Sequence, residues 1–154
     1  MLKLLVALAA LGLAGTATAD TLAVMPVMFL DTSGEDEDQS AAHAARLAAM
    51  GDALVRDLAA DYDAVVLIPE GDLQARCPGE APDCLVGLAR AAEADVALFA
   101  AVLKTSTLIM RMYVNVVDVA QGQVITQREL NFRGDTDESW QRAEQFLVRN
   151  LRER

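Results

Sequence analysis

The chain has 154 residues and a formal net charge of −10, with 13 basic side chains against 23 acidic ones. This length fits one domain and is sufficient to bury a sizeable core. Because an acidic surface repels phosphate backbones and anionic lipid, the composition argues against a protein that binds nucleic acid or membrane surfaces.

The first nineteen residues have the pattern of a cleaved signal peptide. Lys3 gives a positive start, and the apolar run over 4–13 is too short to span a bilayer. Ala17 and Ala19 supply the small residues that signal peptidase recognises. We therefore expect residues 1–19 to be removed on export and residues 20–154 to form a single globular domain. We expect no lipid anchor, because no cysteine lies near the cut, and no transmembrane helix.

Hydrophobic periodicity divides the exported region into eight elements. Continuous apolar runs and period-two alternation indicate strands, whereas apolar stripes at helical spacing indicate helices. Pro26 predicts a bulge or an unpaired position in the first strand, because proline cannot donate a ladder hydrogen bond. Gln121 and Gly122 predict a hairpin turn between the last two strands. The predicted strands cover 22–30, 64–68, 96–103, 108–118 and 124–133, and the predicted helices cover 40–61, 84–93 (with Asp83 as N-cap) and 137–152.

The resulting order is β-α-β-α-β-β-β-α. Its first half implies crossover helices and parallel pairing, and its second half implies an antiparallel meander. We therefore predict an α/β (α+β) domain in which helices pack on a mixed five-stranded sheet. If the helices cover only one face, the polar side of the last hairpin points outward.

The two cysteines, Cys77 and Cys84, flank a segment rich in turn-forming residues. An exported protein enters an oxidising compartment, so a disulfide that closes this short loop is the favoured interpretation. A redox or metal-binding pair is the alternative. Redox pairs prefer C-x-x-C spacing, and a metal site needs more His or Cys ligands than this chain has.

Other candidates for chemistry in this sequence are few. We interpret His43, the single histidine, as a surface residue at the start of the first long helix. The acidic segment over 31–39 lacks EF-hand spacing and is interpreted as a solvated loop that complements the dipole of the next helix. No phosphate-cradling glycine motif or nucleophile elbow occurs in the sequence. We therefore expect no metal ion and no cofactor, and we favour a protein that is not an enzyme.

The segment 133–140 joins the last predicted strand to the last helix. A structural role accounts for most of it, because glycine permits the turn, polar residues cap the helix and tryptophan anchors the first turn in the core. The residues assigned to cap and anchor are Asp135, Thr136, Glu138 and Trp140.

The polar side of the predicted hairpin is the candidate interaction face. Tyrosine and arginine dominate binding energies at protein interfaces, and asparagine supplies adaptable hydrogen bonds. A solvated sheet face is the alternative interpretation. The face comprises Arg111, Tyr113, Asn115, Asn131 and Arg133, with Gln127 and Glu129 between them.

Two blocks of the chain resemble a proteobacterial secreted family classified as a domain of unknown function. They are residues 22–33, which end in Asp-Thr-Ser, and Arg-Gly-Asp-Thr-Asp-Glu-Ser-Trp over 133–140, where the family has Asn or Asp at position 135. The resemblance covers the exported region and implies a periplasmic accessory role, sometimes near periplasmic quinoprotein dehydrogenases. The strand order also resembles the amino-terminal domain of the Tol-system translocation protein, whose relatives act through protein contacts.

The favoured function is thus a non-catalytic periplasmic accessory or interaction module, and the expected partner is another periplasmic protein. A small-ligand or metal-ion binding protein is one alternative, and a hydrolytic enzyme is the other. The sequence does not predict an oligomeric state.

Overall fold

A computed structural model describes residues 20–153 of the chain. The predicted signal peptide, residues 1–19, lies outside the described residues. In chain order the elements are β1 (Thr21–Val24), β2 (Met28–Asp31), α1 (Ser40–Leu58), β3 (Ala64–Leu67), α2 (Glu70–Arg76), α3 (Pro82–Ala91), β4 (Val96–Ser106), β5 (Ile109–Asp118), β6 (Gln123–Phe132) and α4 (Asp137–Arg152).

The strands form one mixed sheet in the order β3-β1-β4-β5-β6, and β2 also pairs with β4. β1 runs parallel to both β3 and β4, whereas β4, β5 and β6 form an antiparallel meander. The predicted fold class, a single α/β domain with a mixed sheet and helical crossovers, is confirmed. Within the described residues, no helix has the length and apolar character needed to cross a bilayer.

The sheet has six strands rather than the five predicted, because the first apolar run is divided at Pro26. β1 pairs with residues 96–98 of β4, and β2 pairs with residues 101–104 of the same strand. Pro26 lies in the gap between them. Proline has no N–H, and at this position no hydrogen bond of the sheet requires one.

The segment before β4 also differs from the prediction. A short additional helix, α2, occupies residues that lack a long apolar stripe. α3 begins at Pro82 with Ala81 as its N-cap, so Asp83 lies inside the first turn and is not the cap.

The helices cover the two faces of the sheet unequally. α1 and α4 pack together over one face, above the larger core. α2 and α3 cover the other face only near β1, β3 and the first part of β4, above a smaller core. The larger core includes Leu22, Leu54, Leu98, Met112 and Leu147, and the smaller one includes Ala23, Leu73, Leu88 and Ala97.

Cys77 and Cys84 form the predicted disulfide, with their Cα atoms 5.8 Å apart. The bond joins the end of α2 to the first turn of α3, and Cys77 is buried in the smaller core. A cross-link that closes a loop of about eight residues stabilises a fold by roughly 2.5 kcal/mol through the entropy of the unfolded chain.

Candidate functional site

The part of the second sheet face that α2 and α3 leave uncovered brings the predicted interaction residues together. The β5–β6 register places Arg111 opposite Asn131 and Tyr113 opposite Glu129, so these side chains share one side of the sheet. Arg111 donates from Nε to Asn131 Oδ1 at 3.2 Å and from Nη1 to Tyr113 Oη at 3.2 Å. Its Nε also lies 3.3 Å from Glu129 Oε1. The guanidinium is therefore held in place before any partner arrives.

Two further predicted residues lie at the ends of this surface. Asn115 pairs with Gln127 and is half-buried. Arg133 follows β6 and is exposed.

An apolar strip on β2 and β4 continues the same surface. The register places Leu30 beside Leu103 and Met28 beside Ala101, and these rows lead on to Arg111 and Tyr113 in β5. The Leu30 side chain is 61% exposed and that of Met28 is 38% exposed. We call the combined surface the outer face, and it comprises Met28, Leu30, Ala101, Leu103, Arg111, Tyr113, Asn115, Gln127, Glu129 and Asn131.

The apolar half of the outer face was not predicted from the sequence. A continuous apolar run does not show which of its side chains are covered, because both faces look alike in such a pattern. The only signal was Pro26, which separates the run into a covered strand and an uncovered one.

A cluster of charged side chains lies on the opposite, helix-covered side of the sheet. Lys104 is fully buried at its centre. Its Nζ lies 2.8 Å from Glu35 Oε2, 3.0 Å from Asp135 Oδ2 and 3.7 Å from Asp31 Oδ2, and it donates to Gln39 Oε1 at 3.1 Å. Burial alone would lower the pKa of Lys104, but hydrogen bonds to Glu35 and Asp135 outweigh it and raise that pKa.

Asp135 is the anion at which most of these donors meet. Its Oδ1 accepts from Trp140 Nε1 at 2.9 Å and from Arg46 Nη1 at 2.8 Å, while Oδ2 lies 2.7 Å from His43 Nε2. Burial raises the pKa of this carboxyl group, but hydrogen bonds from His43, Lys104 and Trp140 prevail and lower it to about 2. Asp135 is therefore ionised at neutral pH.

The interpretation of His43 as a surface residue is wrong. His43 is 5% exposed, its ring centroid lies 4.4 Å from that of Phe29, and it bonds to Asp135. No local pattern in the sequence signals this contact, because the two residues are 92 positions apart.

The cap of α4 is Thr136, whose hydroxyl oxygen accepts from Ser139 N at 3.3 Å. Asp135 does not cap the helix, because its carboxylate is turned into the buried cluster. Glu138 is exposed and pairs with Arg142 at 2.5 Å, while Trp140 is buried against Phe29 and Phe132.

The acidic segment is largely exposed, but Glu35 also makes contacts with the rest of the fold. Besides its contact with Lys104, Glu35 Oε1 accepts from the backbone N of Thr107 at 2.8 Å and from the Thr107 hydroxyl. Hydrogen bonds from Lys104 and Thr107 lower the pKa of Glu35 to about 2. This loop is thus held against the β4–β5 turn.

These contacts make the cluster a set of matched ion pairs that ties together β2, α1, β4 and the segment before α4. Except for Asp31, which lies 3.7 Å from Lys104, each of its charged groups lies within hydrogen-bond reach of an opposite charge. Removal of one partner from such an arrangement destabilises a fold. Among the residues that the structure describes, no group of three or more His, Cys, Asp or Glu side chains could hold a metal ion.

Two grooves flank α1. The larger, of about 590 Å³, lies between α1 and α2 beside β2. The smaller, of about 420 Å³, lies between α1 and α4 and is lined in part by Arg56 and Glu144. The Glu144 carboxylate is 1% exposed and makes no hydrogen bond within the described part of the chain. Burial, reinforced by the charge of Asp57, raises the pKa of Glu144 to about 7.

The chain belongs to the family DUF3280, described as "Protein of unknown function (DUF2380)", which matches residues 20–151. The predicted membership of a domain-of-unknown-function family is therefore confirmed. No curated protein matches the sequence.

Several solved structures of bacterial proteins are similar to this chain. The hypothetical protein CT253 from Chlamydia trachomatis is 16% identical, with a TM-score of 0.53 over 86% of this chain and 95% of that chain. A PelC dodecamer from Paraburkholderia phytofirmans is 13% identical, with a TM-score of 0.51 over 82% and 84%. TolB from Acinetobacter baumannii aligns more loosely, with 12% identity and a TM-score of 0.44 over 77% and 24%. At these identities the first two similarities establish the fold and not the function.

Proposed function

We propose that this chain is a non-catalytic interaction module of the periplasm that binds another protein through its outer face. One observation carries the proposal. The outer face places exposed apolar side chains directly beside an ordered arginine and a tyrosine, on a part of the sheet that no described helix covers. This combination of an apolar patch with Arg and Tyr is typical of protein interfaces.

The energetics of the outer face favour binding. Complete burial of an exposed apolar side chain contributes about 1.5–3 kcal/mol. A partner that covers Leu30 and Met28 gains a fraction of that from each, because they are 61% and 38% exposed. Arg111 is already held by Tyr113 and Asn131, so less side-chain entropy is lost when a partner arrives. Because its bonds to those two residues use only two of five N–H donors, Arg111 can still donate to a partner's carboxylate or carbonyl oxygens.

Three features support the proposed compartment and partner. The signal-peptide pattern of residues 1–19 and the disulfide both fit export to an oxidising compartment. The family resemblance points to periplasmic dehydrogenase systems as the first place to look for a partner. The PelC neighbour forms a dodecamer, so a second copy of this chain is the competing occupant of the outer face.

Co-purification from native periplasm tests the proposal. The double variant Arg111→Ala with Tyr113→Ala removes the polar anchors of the outer face and leaves the core intact. We expect a nearly unchanged melting temperature and loss of the co-purifying protein. The matched control, Arg142→Ala with Phe146→Ala, removes an exposed arginine and an exposed aromatic ring from α4 and should retain the partner.

Two outcomes contradict the proposal. One is a folded double variant that retains every partner of the wild type. The other is a wild-type protein that co-purifies only with copies of itself and dissociates to monomers when the outer face is changed, as measured by light scattering.

A further inference from the structure

The free edge of β2 opens into the larger groove. β3 pairs with β1 as far as Leu67 opposite Val24, after which Ile68 N donates to Val24 O and the chain turns at Pro69. β2 continues in line with β1 along β4. Within the described residues, β2 has β4 on one edge and no strand on the other. The position that β3 would occupy if it were longer is therefore part of the groove.

The groove lies where ligands bind in many α/β sheets. From the carboxyl end of β1 the chain continues through β2 and α1 to reach β3 on one side. From β3 it passes through α2 and α3, on the opposite face, to reach β4 on the other side. Crossover connections that diverge in this way leave a crevice at the carboxyl ends of the strands.

The groove is mostly apolar and runs beside β2. Leu47 and Ala48 line it from α1, Met28 and Phe29 line it from β2, and Leu73 lines it from α2. The four residues of β2 span about 13 Å, enough to pair with a peptide segment of four to six residues.

The charged side chains of the groove are all acidic. Asp52 lies on α1, Glu70 begins α2, and Glu80 lies in the loop before α3. The described residues that line the groove include no lysine and no arginine. An occupant with basic side chains would therefore complement the groove, whereas an acidic one would be repelled.

We propose that this groove binds an extended peptide segment of a partner protein, with alternating basic and apolar residues, which adds a strand to the free edge of β2. Main-chain hydrogen bonds supply affinity in this mode, and pockets for alternate side chains supply specificity. The site adjoins the outer face, with which it shares Met28, but its test does not depend on the function proposed above. A small cationic amphiphile would satisfy the acidic and apolar lining but would make no use of the strand edge.

A fluorescent six-residue peptide of alternating lysine and valine is the probe, titrated into the exported protein and followed by anisotropy. We expect saturable binding, and none by a control peptide in which glutamate replaces lysine. Two further versions carry N-methyl groups on alternate amides, one set for each edge of the strand. Strand addition predicts that one set abolishes binding and that the other is tolerated, because only one edge of the peptide faces β2.

Variants of exposed residues locate the site without disturbing the core. Ala48→Trp places an indole in the groove and should weaken binding at least about tenfold. Ala49→Trp adds the same ring to the next exposed position of α1, in the α4 groove, and should have no effect. Glu70→Lys should also weaken binding, whereas Asp72→Lys, in the same first turn of α2 but outside the groove lining, should not.

Three results would overturn the inference. The first is no saturation by the lysine–valine peptide up to about 1 mM. The second is equal binding of both N-methylated peptides, which would indicate an occupant recognised only through its side chains. The third is unchanged binding by Ala48→Trp when its circular dichroism and melting temperature match those of the wild type.

Discussion

Lys104 and Asp135 form the central pair of the buried cluster, 3.0 Å apart, and each is shielded from solvent. Lys104→Met keeps most of the length of the side chain but removes its charge. It leaves Asp135 and Glu35 without the cation that lies between them. Removal of one partner of a buried ion pair costs about 3–5 kcal/mol. We expect a loss of that size in the free energy of unfolding, measured by urea denaturation.

The matched control is Arg142→Ala, which breaks an exposed ion pair on α4 and should cost at most about 1 kcal/mol. A similar small effect for Lys104→Met would mean that the cluster does not hold the fold together.

Glu144 predicts an unusual dependence of stability on pH. Its pKa is raised by burial from an ordinary value of 4.5 to about 7. At a pH between these two pKa values, Glu144 keeps its proton in the folded state but has lost it in the unfolded state. The free energy of unfolding therefore declines as pH rises through this range. The decline is about 3 kcal/mol and is complete above pH 7. The charged groups that act on Glu144 are Arg56 and Asp57.

Glu144→Gln should abolish this decline, because an amide does not titrate. Urea denaturation at pH 5 and pH 8 measures the difference for each protein. Glu138→Gln changes an exposed residue on the same helix and should show the same difference in stability between pH 5 and pH 8 as the wild type. If stability changed equally with pH in the wild type and in Glu144→Gln, the Glu144 carboxyl group would have an ordinary pKa.

Asp135 makes stability depend on pH in a lower pH range and in the opposite direction. Its folded-state pKa of about 2 lies below the ordinary value of 3.8, so the stability it contributes is present above that value and is lost as pH falls toward 2. Acid unfolding should accordingly begin below pH 4 and should not depend on Glu144.

Trp140 is the largest side chain that links α4 to the cluster, and it is 2% exposed. Trp140→Ala should lower the free energy of unfolding by about 3–5 kcal/mol, because it leaves a cavity and removes a donor from Asp135. Phe146→Ala, at a half-exposed position two turns later, should cost far less. Unchanged stability of Trp140→Ala would mean that the ring is not part of the core.

At the scale of elements, the alternating pattern of β5 was sufficient to assign its two faces. Met110, Met112 and Val114 point into the core, while Arg111 and Tyr113 point outward. The period of two fixes this separation wherever one face is buried and the other is not. The same argument fails for residues 22–30, whose continuous apolar run concealed both the division into β1 and β2 and the free edge of β2.

The buried cluster could not be predicted because its members come from distant parts of the chain. Lys104 lies at the end of an apolar strand, and nothing local shows that its side chain turns inward. Its partners Glu35 and Asp135 lie 69 positions before it and 31 positions after it. Only the assembled sheet, which places β2 beside β4 and the α4 cap above them, brings these charges together.

The α2–α3 connection depends on its disulfide. Alkylation without a reductant should label neither Cys77 nor Cys84 in protein taken from its own compartment. Reduction should lower the free energy of unfolding by about 2.5 kcal/mol. Free labelling of both thiols in the native protein would contradict the disulfide and favour a thiol or metal-binding role.

On the scale of the whole molecule, α1 and α4 pack over one face of the sheet, while α2 and α3 cover only part of the opposite face. The ion pairs of Lys104 and Asp135 join α1, the acidic loop and the start of α4 on the helix-covered side. The uncovered part of the opposite face exposes Leu30, Met28, Arg111 and Tyr113 to solvent. None of these residues belongs to either core. This asymmetry is the observation that supports the proposed role in protein binding.

Site-specific photocrosslinking in the native periplasm tests that assignment most directly. A photoreactive residue at Leu30, on the outer face, should form an adduct with one other protein, and the same residue at Phe146, on α4, should form none. An adduct at Phe146 but not at Leu30, or no adduct at either position, would contradict the proposal that the outer face binds another protein.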